Sequence, residues 1–138
     1  MIITSHREAH TNGDFDLIVL TEDVKKMVEE GSIQDGLALV HCTGSTTCII
    51  ITEFETGAMQ DLKDKFEAFA PRDGNYRHHL RGVDDNGRAH VLSAFLNRNV
   101  SIPIIDHKLA LGTWQELVLI DLDTRPRTRS WILQIIGE

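Results

Sequence analysis

The order in which strand-like and helix-like patterns follow one another is the feature that most constrains the fold of this chain. The patterns run as ββαββααβββ, without the regular strand–helix alternation of a doubly wound parallel sheet. That order predicts an α+β fold. The 138 residues are enough for one domain with a substantial core, and no linker, repeat or low-complexity segment divides them. We therefore expect a single domain over residues 1–138.

Local signals place the first elements. The pair Asn12–Gly13 favours a type I′ turn, which predicts a hairpin between a strand that ends near His10 and one that begins near Phe15. Acidic residues directly after Thr21 predict the start of a helix, and Gly31 is a natural end for it.

Two strands should follow, at residues 37–42 and 48–53. The run Cys48–Ile51 is continuously apolar and β-branched. That composition predicts a central strand that is covered on both faces.

Two helices and three strands are expected in the remainder of the chain. Apolar residues at helical spacing predict a second helix that ends at Pro71 and buries an aromatic stripe, formed by Met59, Leu62, Phe66 and Phe69. A short helix near residues 88–96 should carry an apolar side formed by Val91, Leu92, Phe95 and Leu96. Three strands should end the chain, near residues 100–105, 114–122 and 130–136.

Composition and charge narrow the classes of partner. Apolar residues make up 41% of the chain and charged residues 25%, which is typical of a soluble globular protein. The formal net charge of −7 argues against a nucleic-acid partner, because phosphate-backbone binding needs clustered Lys and Arg. The one basic run, Arg125, Arg127 and Arg129, is interpreted as a solvated turn between two strands.

The sequence also predicts a compartment. No stretch approaches the ~20 apolar residues of a membrane span, and the N-terminus becomes charged too early for a signal peptide. Two cysteines, Cys42 and Cys48, are too few for a disulfide framework and suit a reducing environment. We therefore expect a cytoplasmic protein, with no membrane partner, in which both cysteines are small buried residues.

Histidines and carboxylates gather in the polar stretch 71–87 and just beyond it. A loop of this length in a compact domain is either disordered or functional. Imidazole and carboxylate groups are the usual ligands of zinc and other divalent ions, and they also move protons near neutral pH. The residues concerned are His78, His79, Asp84, Asp85 and His90. Their spacing is not a recognised metal motif, so a solvated polar loop is the alternative.

Three further positions are candidates. By strand alternation His41 shares a face with Leu37 and Leu39, which predicts a buried face and leaves a core histidine as the alternative to a functional one. Glu53 follows a buried strand, where active-site groups often emerge, although solvent-facing charge before a helix explains it as well. Trp114 and Gln115 offer a stacking surface beside an amide, or a strand that begins with a core Trp.

Taken together, these motifs resemble the YjbQ-like family, also called secondary thiamine-phosphate synthases. The segment Leu109-Ala110-Leu111-Gly112-Thr113-Trp114-Gln115 is similar to the family signature, and His41-Cys42-Thr43 is similar to its His-Thr-Thr. Glu53 matches its strand-end Glu. The family's middle motif is similar to Tyr76, His78, Gly82, Asp84, Ala89 and His90. The shared order over nearly the whole chain is more specific than any single motif.

The resemblance implies two packed, mostly antiparallel β-sheets in a sandwich-like arrangement with two to three helices. It also implies a homotrimer with clefts at the subunit boundaries and a pocket around a divalent ion, zinc or magnesium. The implied metal ligands are His41, His78, His79 and His90, where either His78 or His79 could fill one family position. The implied catalytic residues are Glu53, Asp84, Trp114 and Gln115.

The activity that the resemblance implies is thiamine-phosphate synthesis, in which a pyrimidine pyrophosphate is joined to a thiazole phosphate and pyrophosphate leaves. The chain has no P-loop, and few Lys or Arg residues accompany the expected pocket, so diphosphate binding would depend on the metal. The chain departs from the family pattern at Thr52, Asn99, His107 and the segment Cys42-Thr43-Gly44, which we expect around the pocket. The alternatives are a metal-dependent hydrolase and a non-catalytic trimer that binds a metal or a small ligand.

Overall fold

The computed structural model describes residues 1–138 and contains two antiparallel β-sheets packed face to face, with three α-helices. The strands are β1 (Ile2–Thr11), β2 (Asp16–Val19), β3 (Gly36–Cys42), β4 (Thr47–Thr52), β5 (Asn99–Ile105), β6 (Lys108–Leu109), β7 (Glu116–Asp121) and β8 (Arg127–Gly137). The helices are α1 (Thr21–Glu30), α2 (Thr56–Phe69), α3 (Gly87–Phe95) and a 3-10 helix at Arg77–Arg81. The α+β sandwich expected from the sequence is confirmed.

The two sheets differ in size. The larger has five strands in the order β1-β8-β3-β5-β6, and the smaller has three in the order β2-β7-β4. Every strand pair is antiparallel. The two-residue strand β6, which the sequence patterns did not predict, pairs with the end of β5.

Two apolar clusters divide the molecule into layers. The first lies between the sheets, where Val40 and Leu133 of the larger sheet meet Ile49 and Leu119 of the smaller one, and α1 closes it. The second lies on the opposite face of the smaller sheet and packs that sheet against α2 and α3. The layers are therefore the larger sheet, the smaller sheet and then two helices. The outer face of the larger sheet has no layer over it.

The predicted hairpin at Asn12–Gly13 is wrong. β1 pairs with β8, with Thr11 opposite Arg127, whereas β2 pairs with β7, with Asp16 opposite Asp121. The turn therefore carries the chain from one sheet to the other. Gly13 has φ 81° and lies against the backbone of Arg125, where a Cβ would come within 2.6 Å of a carbonyl oxygen. The Asn12–Gly13 pair correctly predicts a turn, but pairing with strands distant in the sequence decides the partners of β1 and β2.

The predicted central position of β4 is also wrong, because β4 is an edge strand of the smaller sheet. Its apolar run has a different cause. Ile49 points into the cluster between the sheets, and Cys48 points into the cluster beneath the helices. Layers on both faces, rather than strands on both sides, therefore account for the continuous apolar sequence.

The two predicted apolar helix faces are only partly buried. Phe66 of α2 and Leu92 of α3 lie in the helix-layer cluster. In contrast, Phe69 and Phe95 are exposed and pack on each other edge to face, with ring centroids 4.9 Å apart. The expectation that the whole stripes are core is therefore wrong at the last turn of each helix.

The basic run is not a solvated turn. Arg129 is buried, and its Nε and NH2 groups each donate to a carboxylate oxygen of buried Asp121 at 2.8 Å. Arg127 donates to buried Asp123 at 2.8 Å, and only Arg125 is fully solvent-facing. The inward side of β8 thus places one arginine of the run at the seam between the two sheets.

Both cysteines are buried and free, as predicted. Burial raises the pKa of Cys48 to about 12, so this thiol stays protonated at neutral pH. No helix of the chain combines the length and the apolar character that crossing a bilayer requires.

Replacement of Arg129 by Leu should lower the free energy of unfolding by about 3–5 kcal/mol, because it leaves the buried Asp121 carboxylate without its charge partner. Arg125→Leu, in the same run but exposed, should change it by no more than about 0.5 kcal/mol. Urea denaturation of both variants at pH 7 makes the comparison. Equal effects would contradict the buried ion pair.

The same pair predicts the direction of a pH effect. Burial by itself would raise the pKa of Asp121, but hydrogen bonds from Arg129 and Thr11 outweigh it and hold the pKa below the ordinary 3.8. The stabilisation is therefore present above that value and is lost as pH falls through the lower folded-state pKa. In Arg129→Leu the hydrogen bonds from Thr11 and Asp123 N–H remain but the contribution of Arg129 is lost, so the folded-state pKa of Asp121 is higher than in wild type, and the deficit against wild type should shrink as pH falls from 7 toward the wild-type folded-state pKa.

Candidate functional site

The stretch between α2 and α3 is anchored where it leaves α2. Arg72 bridges Asp14 and Glu67, with N–O distances of 2.8 and 2.9 Å, and the Tyr76 hydroxyl donates to the Pro71 carbonyl at 2.6 Å. The 3-10 helix at Arg77–Arg81 then presents two adjacent histidines. Polar contacts of this kind satisfy hydrogen-bonding groups of a loop that buries few apolar side chains.

His78 and Asp84 form a close pair in this loop. Nε2 of His78 lies 2.7 Å from Oδ1 of Asp84. Both atoms are buried, and neither has a partner with hydrogen-bond geometry. The contact is therefore short in distance but off the direction in which an Nε2–H group would donate. The two atoms themselves are shielded from solvent, although the side chains that carry them are 25% and 23% exposed.

His90 adjoins this pair from α3. Its ring centroid is 4.6 Å from that of His78, at an interplanar angle of 61°. Burial is the main cause that lowers the pKa of His90 below its ordinary value, and the neighbouring His78 adds to the effect. His90 is therefore neutral at pH 7 and keeps a lone pair available.

His79 points elsewhere and has a structural contact. Its Nε2 accepts a hydrogen bond from the backbone N–H of Gly87 at 2.9 Å, so its other ring nitrogen carries the proton. A Cβ at Gly87 would come within 2.6 Å of the Tyr76 Cβ and 3.0 Å of His79 Nε2. His79 therefore fixes the start of α3 against the 3-10 helix, while His78 is the one that faces Asp84 and His90.

His41 lies on a different face of the molecule. Along β3 the buried side chains are Ala38, Val40 and Cys42, so the expectation that His41 continues a buried face with Leu37 and Leu39 is wrong. The half-buried His41 stands on the open face of the larger sheet. There it lines a shallow pocket of about 260 Å³ with His6, which flanks the same Ile132 from the other side.

Glu53 and Trp114 meet in a third place. Glu53 follows β4 and Trp114 precedes β7, and both line a cleft of about 470 Å³ at that end of the smaller sheet. Trp114 is 72% exposed, so it is not a core residue. The buried tryptophan of the chain is Trp131, in β8. Gln115 uses its Oε1 to accept from Gly112 N–H at 2.8 Å, which closes the turn before β7.

Within one chain the predicted residues therefore form three groups rather than one. His78, His79, Asp84 and His90 lie together in the helix layer. Glu53, Trp114 and Gln115 lie at one end of the smaller sheet, and His41 lies on the outer face of the larger one. No cluster of three or more His, Cys, Asp or Glu side chains in the chain is arranged as a ready-made metal site.

Sequence reasoning missed the residues that hold the loop in place. Asn86 donates to both oxygens of Asp123 at 3.3 Å, and Thr46 donates to the same carboxylate at 2.9 Å. Thr124 donates to Asp85 at 2.8 Å. The carboxylate of Asp123 also acts on His90 electrostatically. An acidic residue at the end of an apolar strand was the only local signal of this role.

The departure at His107 lies outside these groups. His107 and Asp106 have φ values of 64° and 48° and form the two-residue turn between β5 and β6. The two ring nitrogens of His107 lie 3.0 and 2.9 Å from the carbonyl oxygens of Ile33 and Glu29. Within one chain the ring ties this turn to the end of α1, so His107 lies in none of the three groups.

These features define a class of protein: a two-sheet α+β sandwich with a helix layer, in which a loop between α2 and α3 brings histidine and carboxylate groups together. The chain belongs to the family of UPF0047 YjbQ-like proteins, whose model matches residues 5–138.

Relatives support the assignment over most of their length. A UPF0047 protein of Archaeoglobus fulgidus is 35% identical over 121 residues, which are 88% of this chain and 91% of that protein. A YbjQ-like protein of unknown function from Sulfolobus solfataricus P2 has a crystal structure with a TM-score of 0.89, 30% identity and full coverage of both chains. An uncharacterised YjbQ/UPF0047 protein of Clostridium acetobutylicum superposes with a TM-score of 0.86 at 32% identity, covering 96% of this chain and 99% of that one.

His90 and His107 lie in different environments, which predict different pKa values. His90 should titrate below the ordinary value of 6.5, because burial and the nearby His78 lower its pKa. His107 should titrate above 6.5, because the contacts of its ring with the carbonyls of Ile33 and Glu29 raise its pKa, and a neutral ring can donate from only one nitrogen. Histidine ring signals followed by NMR between pH 4 and 9 measure both. A midpoint for His90 above that of His107 would contradict the geometry.

Proposed function

We propose that this protein is a small metal-assisted enzyme that acts on a phosphorylated substrate, with His78, Asp84 and His90 as the ligands of a divalent ion. The observation that carries the proposal is the buried, unpartnered contact between His78 Nε2 and Asp84 Oδ1. A buried polar atom without a partner is energetically costly, and both of these atoms can donate a lone pair to a cation. His90 lies beside them, with its ring centroid 4.6 Å from that of His78, so a rearrangement of side chains on binding would complete the set, which is not ready-made.

The donor types fit such an ion. Two imidazoles and one carboxylate are a common ligand set for zinc and other divalent metals. The low pKa of His90 supports the same role, because a metal needs the neutral imidazole. His79 serves as a positioning residue, since its hydrogen bond to Gly87 N–H fixes the helix from which His90 projects.

A divalent ion in this place would supply Lewis-acid stabilisation of a departing or attacked phosphate oxygen. The chain's own groups would bind and orient the substrate. The exposed indole of Trp114 offers a stacking face for a flat heterocycle, and the Glu53 carboxylate in the same cleft can accept a proton from an amino or hydroxyl group. Thiamine-phosphate synthesis, which the family resemblance implies, is the first reaction to test.

We propose that the protein works as a homotrimer. The outer face of the larger sheet carries a cross-strand row of Ile2, Ile136, Leu37 and Pro103, each in register with the next and each exposed. An open apolar sheet face of this kind is typical of a protein–protein interface. Contact between copies would cover this face and bring His41 against another subunit.

Two alternatives share the same residues. A metal-dependent hydrolase would use the ion to activate water, and a non-catalytic trimer would use it for affinity alone. The free, buried cysteines accord with the cytoplasmic location that we propose.

Metal content tests the ligand set. Wild-type protein purified without added chelator should hold a divalent ion, and His78→Ala and Asp84→Asn should each lower its occupancy by about tenfold or more while the circular-dichroism spectrum stays unchanged. His10→Ala, an exposed histidine of β1, is the matched control and should leave occupancy unchanged. His41→Ala distinguishes two ligand sets. The variant would keep its metal if all ligands come from the loop of one chain, and it would lose metal if His41 of another copy is a ligand. Full occupancy in His78→Ala would remove the proposed site.

Turnover of a pyrimidine pyrophosphate with a thiazole phosphate then tests the reaction. The metal-loaded wild type should release pyrophosphate above the blank, and Glu53→Ala should lower kcat by about 10²–10⁴ while metal content is kept. Metal binding without turnover would favour the non-catalytic alternative. Release of inorganic phosphate from either substrate alone would favour the hydrolase.

Sedimentation velocity tests the assembly. Wild type should sediment as three chains, and Leu37→Lys should sediment as one, because it places a charge in the middle of the apolar row. Leu80→Lys changes an exposed Leu of the 3-10 helix and should keep the wild-type mass. A monomeric wild type would contradict the trimer.

A further inference from the structure

A second polar cavity lies beside the histidine cluster. It has a volume of about 420 Å³ and opens between the loop after α2 and the start of α3. Two arginines, Arg72 and Arg88, line it, and His79 forms part of its wall. Because His79 is the chain neighbour of His78, this cavity borders the proposed metal ligands. None of the motifs recognised in the sequence includes either arginine.

Arg88 is the unusual member of the lining. It is only 6% exposed. Its Nε donates to the Ala70 carbonyl at 2.7 Å, but NH2 is buried without a hydrogen-bond partner, since the nearest carboxylate oxygen, on Glu67, is 3.6 Å away. Glu67 balances the charge at this distance but accepts no hydrogen bond, so an acceptor supplied by a ligand would satisfy the unused donor.

Arg72 differs from Arg88 although it lines the same cavity. It donates to Asp14 from Nε and NH2 and to Glu67 from NH1, at 2.8–3.1 Å. Its charge and its donors are therefore used within the chain. Arg88 is thus the cation with capacity left for a ligand.

The start of α3 adds further donors on the same wall. The first backbone N–H groups of a helix have no carbonyl within the helix to receive them. Asn86, which precedes α3, makes no side-chain cap, and of the first N–H groups Gly87 donates to His79. Arg88 and Ala89 line the cavity from this end of the helix. The positive end of the helix dipole and the Arg88 guanidinium therefore both favour a negatively charged ligand.

We propose that this cavity binds the phosphate group of a small phosphorylated ligand, with Arg88 as the principal anchor. Phosphate oxygens suit the site because several can accept at once, from the guanidinium and from helix N–H groups. The carboxylates of Asp73 and Asp85 also line the cavity, and they would accept from hydroxyl or amino groups elsewhere on the ligand. This inference deepens the proposed function, because it gives the substrate phosphate a protein ligand that does not depend on the metal.

The test is the binding of inorganic phosphate to metal-free protein. Binding is monitored through the side-chain Nε–H signal of Arg88 in NMR spectra, and the affinity is measured by calorimetry. Phosphate should shift the Arg88 signal of wild type, and Arg88→Gln should weaken phosphate binding by at least about tenfold. Arg81→Gln, which removes an exposed arginine that does not line the cavity, is the matched control and should keep affinity within about twofold. Acetate should bind more weakly than phosphate.

Several results would overturn the inference: no shift of Arg88 with phosphate in wild type, equal losses in the two arginine variants, or tighter binding of acetate. The wild-type spectrum decides the matter even if Arg88→Gln does not fold. His78→Ala separates this inference from the proposed function, because it should lose metal and keep phosphate binding. Loss of both in His78→Ala would contradict an anchor that is independent of the metal.

Discussion

The buried ion pair between Asp121 and Arg129 is the interaction on which the arrangement of this molecule depends. Two charges taken out of water are destabilising unless each finds its partner and the remaining lone pairs are satisfied. Here Arg129 donates to both oxygens of Asp121, while the Thr11 hydroxyl and the Asp123 N–H donate to the same carboxylate. These residues come from β1, β8 and the end of β7, so the pair joins the two sheets where the chain passes between them. A one-residue slip of β8 would turn Arg129 to solvent and leave Asp121 alone in the core.

The same seam reaches the loop that carries the histidines. Asp123, two residues beyond Asp121, accepts from Thr46 before β4 and from Asn86 before α3. Asn86 is therefore held by the end of β7, and α3 begins at a fixed point on the smaller sheet. Because His90 projects from α3 and His79 is bonded to Gly87, the relative positions of the ring nitrogens are set by a carboxylate that contacts neither ring. Precision in this loop comes from polar contacts to the sandwich rather than from apolar burial, which few of its side chains show.

Much of the fold could be predicted from sequence because its signals are local. Helical spacing and capping placed α1 and α2, and apolar composition placed β3, β4, β5 and β8 within a few residues. The errors arose where partners distant along the chain decide the outcome. Asn12–Gly13 specifies backbone angles but not which strand pairs with β1, and the run Cys48–Ile51 specifies burial on both faces but not what covers each face. The alternation of β3 was predicted with the wrong face buried, because Leu37 and Leu39 are apolar on a face that has no layer over it.

The same limit applies to the site. The sequence pattern identified His78, Asp84 and His90, whereas Arg88 gave no local sign that its side chain would be buried with a donor unused.

The layer order constrains any account of catalysis by this fold. His41 stands on the outer face of the larger sheet, and His78 and His90 lie in the helix layer, so within one chain they line different surfaces. Contact between copies is one way in which these surfaces could share a substrate. An interface over the row Ile2–Ile136–Leu37–Pro103 would give His41 a new surrounding without any change in the fold. In contrast, the contacts among His78, Asp84, His90 and the Arg88 cavity are complete within a single chain. The proposed metal and phosphate sites would therefore survive dissociation of an assembly, whereas a site that needs His41 together with residues of another copy would not.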